Sequence, residues 1–368
     1  MIIKVPEYIE NLKAYVPGKA IEEIKKDFGL SEIHKLASNE NPLGPSPKAV
    51  EAMLKSTDSL NRYPDVGALD LRNKLSQKFK IDINNIVVGS GSEGIMATIL
   101  RSFLCENDEL ITSDSTFIGF QVLARGRANK THFVDMSRAD YKFNLNGILA
   151  KINDNTKIIY LCNPNNPTGT IFTKAEFNDF IKQVPESVIV IMDEAYFEYA
   201  QGHLEYPDSM LYKYENIITL RTFSKIYGIA GIRIGYGFAH KDIISILMKV
   251  KLPFEPNNLA QAGALAALDD DEFLIKSIEL NEKGYDYFTT ELEVLQKQGK
   301  LKWFPSFANF ILLDLEKQER VDFINRSLLK EGVIIRPLIA FGLPHCLRVT
   351  IGLEEENQTF IKALKKII

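Results

Sequence analysis

Residues 157–169 read Lys-Ile-Ile-Tyr-Leu-Cys-Asn-Pro-Asn-Asn-Pro-Thr-Gly, and this stretch decides the fold. Lys157–Leu161 is an apolar, β-branched run without strict alternation, which is how a strand buried on both faces reads. Asn163 to Gly169 then packs three asparagines and two prolines against the strand's C-terminal end, more rigidity than a turn demands. Further runs of the same kind lie at Ile86–Val88, Leu110–Thr112, Val188–Met192 and Ile217–Leu220. Helical patterns separate several of them. Glu93–Leu104 carries apolar residues at 95, 96, 99, 100, 103 and 104. Thr173-Lys174-Ala175-Glu176 is a capping box that opens a helix containing Phe177, Phe180, Ile181 and Val184. Strands alternating with helices predict an α/β fold with a mostly parallel sheet flanked by helices.

Upstream, residues 38–47 (SNENPLGPSP) have the Asn, Pro and Gly content of a loop. Ser46-Pro47 marks a helix start, serine capping and proline at the first helical position. Leu71, Leu75 and Phe79 recur every four residues, as on one face of an amphipathic helix. Downstream the pattern changes. A long helix is expected from about Asp270 to Gln298, then strands near Phe310–Leu315, Val333–Arg336 and Leu347–Ile351, with a helix around Asp322–Lys330 closed by Gly332. That makes a smaller α+β C-terminal domain. The expected division is an arm at 1–45 belonging to the small domain, a large domain at 46–245 and the small domain at 246–368.

Composition narrows the function. The chain has 368 residues, 45% apolar and 25% charged, so it can bury a large core without staples. Forty-four Lys+Arg against 48 Asp+Glu give a net charge of −4, against a binder driven by phosphate neutralisation of nucleic acid. No apolar run approaches the roughly 18 residues of a spanning helix, and the start, MIIKVPEYIENLK, lacks a signal pattern. Cys105, Cys162 and Cys346 are far apart, and the five histidines have no ligand spacing, so neither a disulfide framework nor a metal site is expected. The expectation is a reducing, cytoplasmic compartment.

Four segments at strand ends carry chemistry. Gly89-Ser90-Gly91-Ser92-Glu93-Gly94 follows a strand and opens a helix. It fits the dinucleotide fingerprint, with Asp114 at a suitable distance, but physically it is a phosphate cradle: tight glycine turns, free N–H groups and a helix N-terminus. A plain strand–turn–helix remains open for it. Asn163–Gly169 is turn chemistry or a ligand-facing loop. Asp193, in Asp193-Glu194-Ala195-Tyr196, is a helix cap or a buried carboxylate that needs a cationic partner. Lys225, in Thr222-Phe223-Ser224-Lys225, is a solvated charge or an amine nucleophile beside an anion site of Thr222, Ser224 and Arg233. One ligand uses all four. Pyridoxal phosphate needs a lysine for its aldehyde, a carboxylate for its ring nitrogen, donors for its phenolic oxygen and a phosphate cradle.

The set GSGSEG, NPNNPTG, DEAY and TFSKIYGIAGIRIGY resembles the fold-type-I pyridoxal-phosphate aminotransferases across at least residues 36–240. YVPGK at 15–19, LASNENPLGPSP, RYPD at 62–65, IIRPL and LRVTIG are similar to the histidinol-phosphate branch of that family. The resemblance implies Lys225 as the lysine that joins the cofactor and later moves a proton, and Asp193 as the partner of the ring nitrogen. It implies Asn166 and Tyr196 as donors to the phenolic oxygen, and Phe117 as the ring stacked on the cofactor. Gly91, Ser92 and Glu93 would form the cradle with Thr222, Ser224 and Arg233. Tyr63 would reach the phosphate from a neighbouring subunit, which implies a homodimer. Arg348, with Arg336 and Tyr15, would bind the substrate's anionic group. Two departures from the family pattern are Ser90 and Gly94 in the cradle and Phe117 in place of a commoner tyrosine.

The implied substrates are histidinol phosphate and glutamate or 2-oxoglutarate, exchanged in two half-reactions with ping-pong kinetics. An aromatic amino-acid aminotransferase shares nearly all of these motifs. A decarboxylase of a phosphorylated amino acid shares the cofactor motifs. An NAD-dependent oxidoreductase would leave TFSK and NPNNPTG unexplained, and a cofactor-binding regulator would need a DNA-binding module for which no length remains.

Overall fold

The computed structural model describes residues 4–10, 25, 29–127 and 130–368. Strands run in chain order as β1 (His34–Lys35), β2 (Ile86–Gly89), β3 (Glu109–Ser113), β4 (Thr131–Val134), β5 (Thr156–Cys162), β6 (Ile189–Asp193), β7 (Ile217–Thr222), β8 (Gly235–Phe238), β9 (Lys302–Trp303), β10 (Phe310–Asp314), β11 (Val333–Ile334), β12 (Arg336–Pro337) and β13 (Cys346–Thr350). Seven of them form one sheet in the order β2-β8-β7-β6-β5-β3-β4. Only β8 runs against its neighbours β2 and β7; the other pairings are parallel. The C-terminal ends of β2, β5, β6 and β7 therefore lie along the same edge of the sheet, where open α/β sheets bind ligands.

The five runs expected as strands all form strands, and their burial on both faces explains why they lack alternation: Ile158, Ile159, Tyr160, Leu161, Val190, Ile191, Met192, Ile218 and Leu220 are all inaccessible. Two strands escape the pattern. β4 is a short, half-buried edge strand. β8 is Gly-Tyr-Gly-Phe, and its glycines are spatial requirements: a Cβ at Gly235 would stand 2.5 Å from the Ser92 nitrogen, and one at Gly237 2.8 Å from Leu220 Cδ2.

The helix starts obey their local signals. Ser46 accepts from the Ala49 N–H at the head of Pro47–Lys55. Thr173 and Glu176 close a reciprocal capping box on Lys174–Ile181.

A second sheet, β12-β13-β10-β9, is antiparallel throughout. β1 pairs in parallel with β11, and Leu36, next to β1, enters the core built on the second sheet with Leu292, Ile311, Val321, Val349 and Phe360. The two hydrophobic cores do not part at 245. Ile244 and Leu247 pack into the core of the large sheet, and Ala260, Ala264 and Ala267 pack with Phe223 and Tyr236. The helix Asp271–Lys297 joins the units: Leu274 and Ile278 pack on the large side, and Phe288, Leu292 and Leu295 on the small side. No helix among the described residues is long and apolar enough to cross a membrane.

Candidate active site

Each chemistry-bearing segment begins where a strand of the large sheet stops. β2 ends at Gly89, and the helix Gly91–Phe103 starts two residues later. Gly91 has φ +78°, a backbone state that favours glycine, and a Cβ there would stand 3.0 Å from Arg233 Nη2. The turn thus brings Arg233 against the first N–H groups of a helix, which have no intrahelical partner. Arg233 itself adopts φ +58° and donates through Nη1 to Ser224 Oγ (3.3 Å) and the Ala230 carbonyl (3.0 Å). Thr222 and Ser224 are hydrogen-bonded through their hydroxyls at 3.0 Å. Ser92, Thr222, Ser224 and Arg233 line one cavity of about 220 Å³. Glu93, Phe117, Cys162, Asn166, Asp193, Ala195, Tyr196 and Lys225 complete its wall.

Lys225 and Asp193 share that wall. The Lys225 amine stands 3.4 Å from the Asn39 carbonyl and 5.5 Å from the centre of the Tyr196 ring. Burial lowers its pKa to about 8, helped by the positive charges of Arg348 and Arg233 and opposed by Glu40 and Asp193. Asp193 ends β6. Burial raises its carboxyl to about 6 against the Tyr160 hydrogen bond, the Ala195 N–H and the Lys225 charge. One carboxylate oxygen, Oδ2, accepts from the Tyr160 hydroxyl at 2.6 Å; the other, Oδ1, is buried without a protein partner.

Asn166 is oriented by Arg348, and Tyr196 by Asn39, a neighbour that sequence reasoning did not single out. Arg348 Nη1 donates to Asn166 Oδ1 at 2.5 Å. Arginine only donates, so the amide oxygen must face it and the NH₂ end is turned elsewhere. The Tyr196 hydroxyl accepts from Asn39 Nδ2 at 2.8 Å, and burial raises its pKa, so the phenol stays protonated. Asn39 is held in turn by Thr350: its N–H donates to Thr350 Oγ1, which lies 3.1 Å from Asn39 Oδ1. The small sheet thereby reaches the cavity through Arg348 and Thr350. The available signal for Asn39 was its place in the Asn/Pro-rich loop 38–47; in the structure it adopts φ +56°.

Arg221 is the other omission. It is completely buried and binds Glu194 Oε2 through Nε (3.0 Å) and Nη2 (2.8 Å), and Asp208 through Nη2 (2.7 Å), above the Phe197 ring. Glu194 follows Asp193 and Arg221 precedes Thr222, so the pair ties together the strand ends that present them. An arginine directly after an apolar run gave the only hint.

Two expected residues stand elsewhere. Arg336 is directly opposite Arg348 on the adjacent antiparallel strand, outside the cavity wall. Tyr63 is 79% exposed and stacks on Phe254 at 4.2 Å between ring centres, away from the cavity of its own chain. Tyr15 lies outside the described residues. Asp114, the acid a dinucleotide fold would aim at a ribose, instead accepts from the Met136 N–H at 3.2 Å.

Comparison with known proteins follows the same lines. The family description "Aminotransferase class I and II" matches residues 31–364. A histidinol-phosphate aminotransferase of Moorella thermoacetica is 42% identical over 99% of this chain and 93% of its own. One from Caldicellulosiruptor saccharolyticus is 40% identical over 98% and 99%. The crystal structure of the Sinorhizobium meliloti histidinol-phosphate aminotransferase, in complex with pyridoxal-5'-phosphate, superposes with a TM-score of 0.85 at 25% identity, covering 99% of this chain and 97% of that one. A lysine and a carboxylate in one cavity above a parallel sheet, in a chain matched almost end to end, leave one assignment: the chain belongs to the class I and II aminotransferase family.

Proposed function

We propose that this chain is a pyridoxal-phosphate-dependent aminotransferase that exchanges the amino group of L-histidinol phosphate with 2-oxoglutarate, giving imidazole acetol phosphate and glutamate. The observation that carries the reading is the shared cavity of Lys225 and Asp193, with an anion cradle at one end of it. The residues fit pyridoxal phosphate. Asp193 Oδ1 is a buried acceptor without a protein donor, suited to a protonated ring nitrogen. Arg233, Ser92, Thr222, Ser224 and the helix N-terminus suit a phosphate, and Phe117 offers an aromatic face. Asn166 and Tyr196 suit a phenolic oxygen. The bound cofactor supplies an electron-withdrawing ring conjugated to the substrate's amino-bearing carbon.

The chain's own residues do the rest. Asp193 is the anion that keeps a proton on the ring nitrogen. Lys225 Nζ takes up the proton that leaves the substrate carbon; with its pKa lowered to about 8, an appreciable fraction is free amine slightly above neutrality. Arg348 donates to Asn166 and the Ala37 carbonyl at the cavity's margin, and Arg336 is its register partner on the adjacent strand. Two paired arginines suit a phosphate ester in one half-reaction and a carboxylate in the other. The end-to-end similarity to histidinol-phosphate aminotransferases supports that substrate over an aromatic amino acid.

The working unit is a homodimer. Tyr63 stacks on Phe254, and Leu60, Val66, Leu69 and Leu252, close to them in sequence, are exposed as well, apolar side chains that suit a partner surface. This stretch continues into the cradle, since Glu255 beside Phe254 accepts from Ser90 at 3.0 Å. Tyr63 would thus enter the partner's site. The three free cysteines suit a cytoplasmic setting.

The experiment is direct. The purified chain should bind pyridoxal phosphate with visible absorbance, and borohydride should attach it to the peptide holding Lys225. Lys225→Ala should lose the attachment and at least about a thousandfold in turnover. Normal transamination by that variant overturns the reading. A kcat/KM for phenylalanine exceeding that for histidinol phosphate tenfold replaces the substrate.

A further inference from the structure

We propose that Tyr160 is a positioning residue for Asp193: its hydroxyl occupies one carboxylate oxygen and so turns the other toward the cofactor's ring nitrogen. The inference rests on the function proposed above, and it concerns a residue that touches neither substrate nor cofactor.

The geometry starts in the sheet register. Cys162 of β5 pairs with Asp193 of β6, and Tyr160 pairs with Ile191. Tyr160 is therefore the diagonal neighbour of Asp193, within reach of a long side chain on the same face. Its hydroxyl donates to Asp193 Oδ2 at 2.6 Å, the short distance of a bond to an ionised acceptor. The ring cannot swing away. It is fully buried and lies flat on Phe120, with centres 3.9 Å apart and planes 6° from parallel. Its backbone is pinned as well, since the Tyr160 carbonyl accepts from Thr112 Oγ1 at 2.9 Å. Burial and the Asp193 charge push the Tyr160 phenol well above its ordinary range, so it remains a donor at every working pH.

The electrostatics give the bond a second consequence. The groups facing Asp193 are Tyr160 and Cys162 from β5, Lys225 after β7, Glu93 from the helix after β2, and Tyr196 in its own loop. Burial raises the Asp193 carboxyl; among the influences that lower it, the Tyr160 hydrogen bond is the largest, ahead of the Ala195 N–H and the Lys225 charge. Without the hydroxyl, Asp193 would bind its proton at higher pH. A protonated Asp193 is no anion for a pyridinium, so the acid-side loss of cofactor affinity would begin at higher pH.

The test is Tyr160→Phe in the full chain, freed of cofactor and titrated with pyridoxal phosphate from pH 6 to 8.5. The variant is expected to bind about tenfold more weakly than the parent at pH 6.5, the scale of a hydrogen bond to a charged group. The deficit should shrink to about two- or threefold at pH 8.5, where Asp193 is ionised in both chains. The same exchange in an Asp193→Asn background, which also relieves any burden of a lone buried carboxylate on folding, should change affinity less than about twofold. Equal binding by Tyr160→Phe and its parent at every pH overturns the inference, as does an equal loss in both backgrounds, since a purely structural tyrosine would not discriminate between them. Failure of the parent chain to bind pyridoxal phosphate would instead remove the proposed function.

Discussion

Two buried aspartates in this molecule each receive a hydrogen bond from a buried tyrosine, and they are built to different ends. Asp314, on β10 of the small sheet, has both oxygens engaged: Oδ2 by the Tyr141 hydroxyl at 2.9 Å and Oδ1 by the Glu316 N–H at 2.7 Å. The same hydroxyl lies 2.9 Å from His345 Nε2 and 3.5 Å from Cys346 Sγ. Asp193 has one oxygen engaged by Tyr160 and the other without a protein partner. Tyr141 belongs to the loop after β4, so the saturated cluster pins the large unit to the small sheet. A satisfied buried network specifies structure; a half-satisfied one costs stability and persists where a ligand completes it.

The sharpest way to break this contrast is a pair of matched substitutions. Asp193→Asn should lower kcat/KM by about a hundredfold or more with no loss of melting temperature in the cofactor-free chain, because it removes the anion but leaves the shape. Asp314→Asn should do the reverse. It places an amide donor against the Tyr141 hydroxyl or the Glu316 N–H, costing about 1–3 kcal/mol of stability with unchanged kcat/KM per folded molecule. Loss of activity in both variants without loss of stability in Asp314→Asn would erase the distinction.

The contrast also explains what could be read from the chain alone. Strands β5, β6 and β7 were legible because burial on both faces writes a continuous apolar run, and the residues at or just beyond their ends, Asn166, Asp193 and Lys225, were legible as polar groups at an edge that binds ligands. Tyr160 lies inside such a run, where a tyrosine reads as one more apolar residue and only the fold reveals what its hydroxyl touches; Arg221 directly follows one. Asn39 and Thr350 meet across 311 positions of sequence. No local spacing announces such a pair. β8 was missed because its glycines answer to the backbones packed on it and not to β propensity. The division at 245 failed for a related reason: a helix shared by two cores carries no break in its own periodicity.

The open site should be measurable as a stability cost that the saturated cluster lacks. Lys225 is held near a pKa of about 8 in the folded chain, whereas an unfolded lysine titrates near 10.4. Between those values the unfolded chain binds a proton that the folded chain does not, so stability rises with pH across that window. Asp193, raised to about 6, acts oppositely: from about 4 to 6 the folded chain holds the extra proton, and stability falls as pH rises. Urea unfolding of the cofactor-free chain should therefore gain about 2 kcal/mol from pH 8 to 10 relative to Lys225→Met, which lacks the group. Parallel profiles would mean that Lys225 is solvated, and the cavity would lose its claim to a buried amine.

The smallest expected effect isolates the two tyrosines. Tyr141→Phe removes a hydroxyl with partners on Asp314, His345 and Cys346, all groups that burial has already perturbed or enclosed: the Cys346 thiol is pushed up to about 12 and the His345 imidazole is lowered. Asp314 keeps its Glu316 N–H, so the carboxylate is not stranded, and the cost should stay near 1–2 kcal/mol in chemical unfolding. The path from Tyr141 to the cavity is indirect: its carbonyl accepts from Thr170, whose hydroxyl meets that of Thr168, which accepts from Asn165. The one contact of that path made by Tyr141 uses its backbone carbonyl, which phenylalanine retains. Pyridoxal phosphate affinity should accordingly match the parent within about twofold at every pH, whereas Tyr160→Phe shifts it in a pH-dependent way. A pH-dependent loss of the same size in Tyr141→Phe would show that the two carboxylate–tyrosine pairs are coupled through that chain of hydroxyls rather than separate devices.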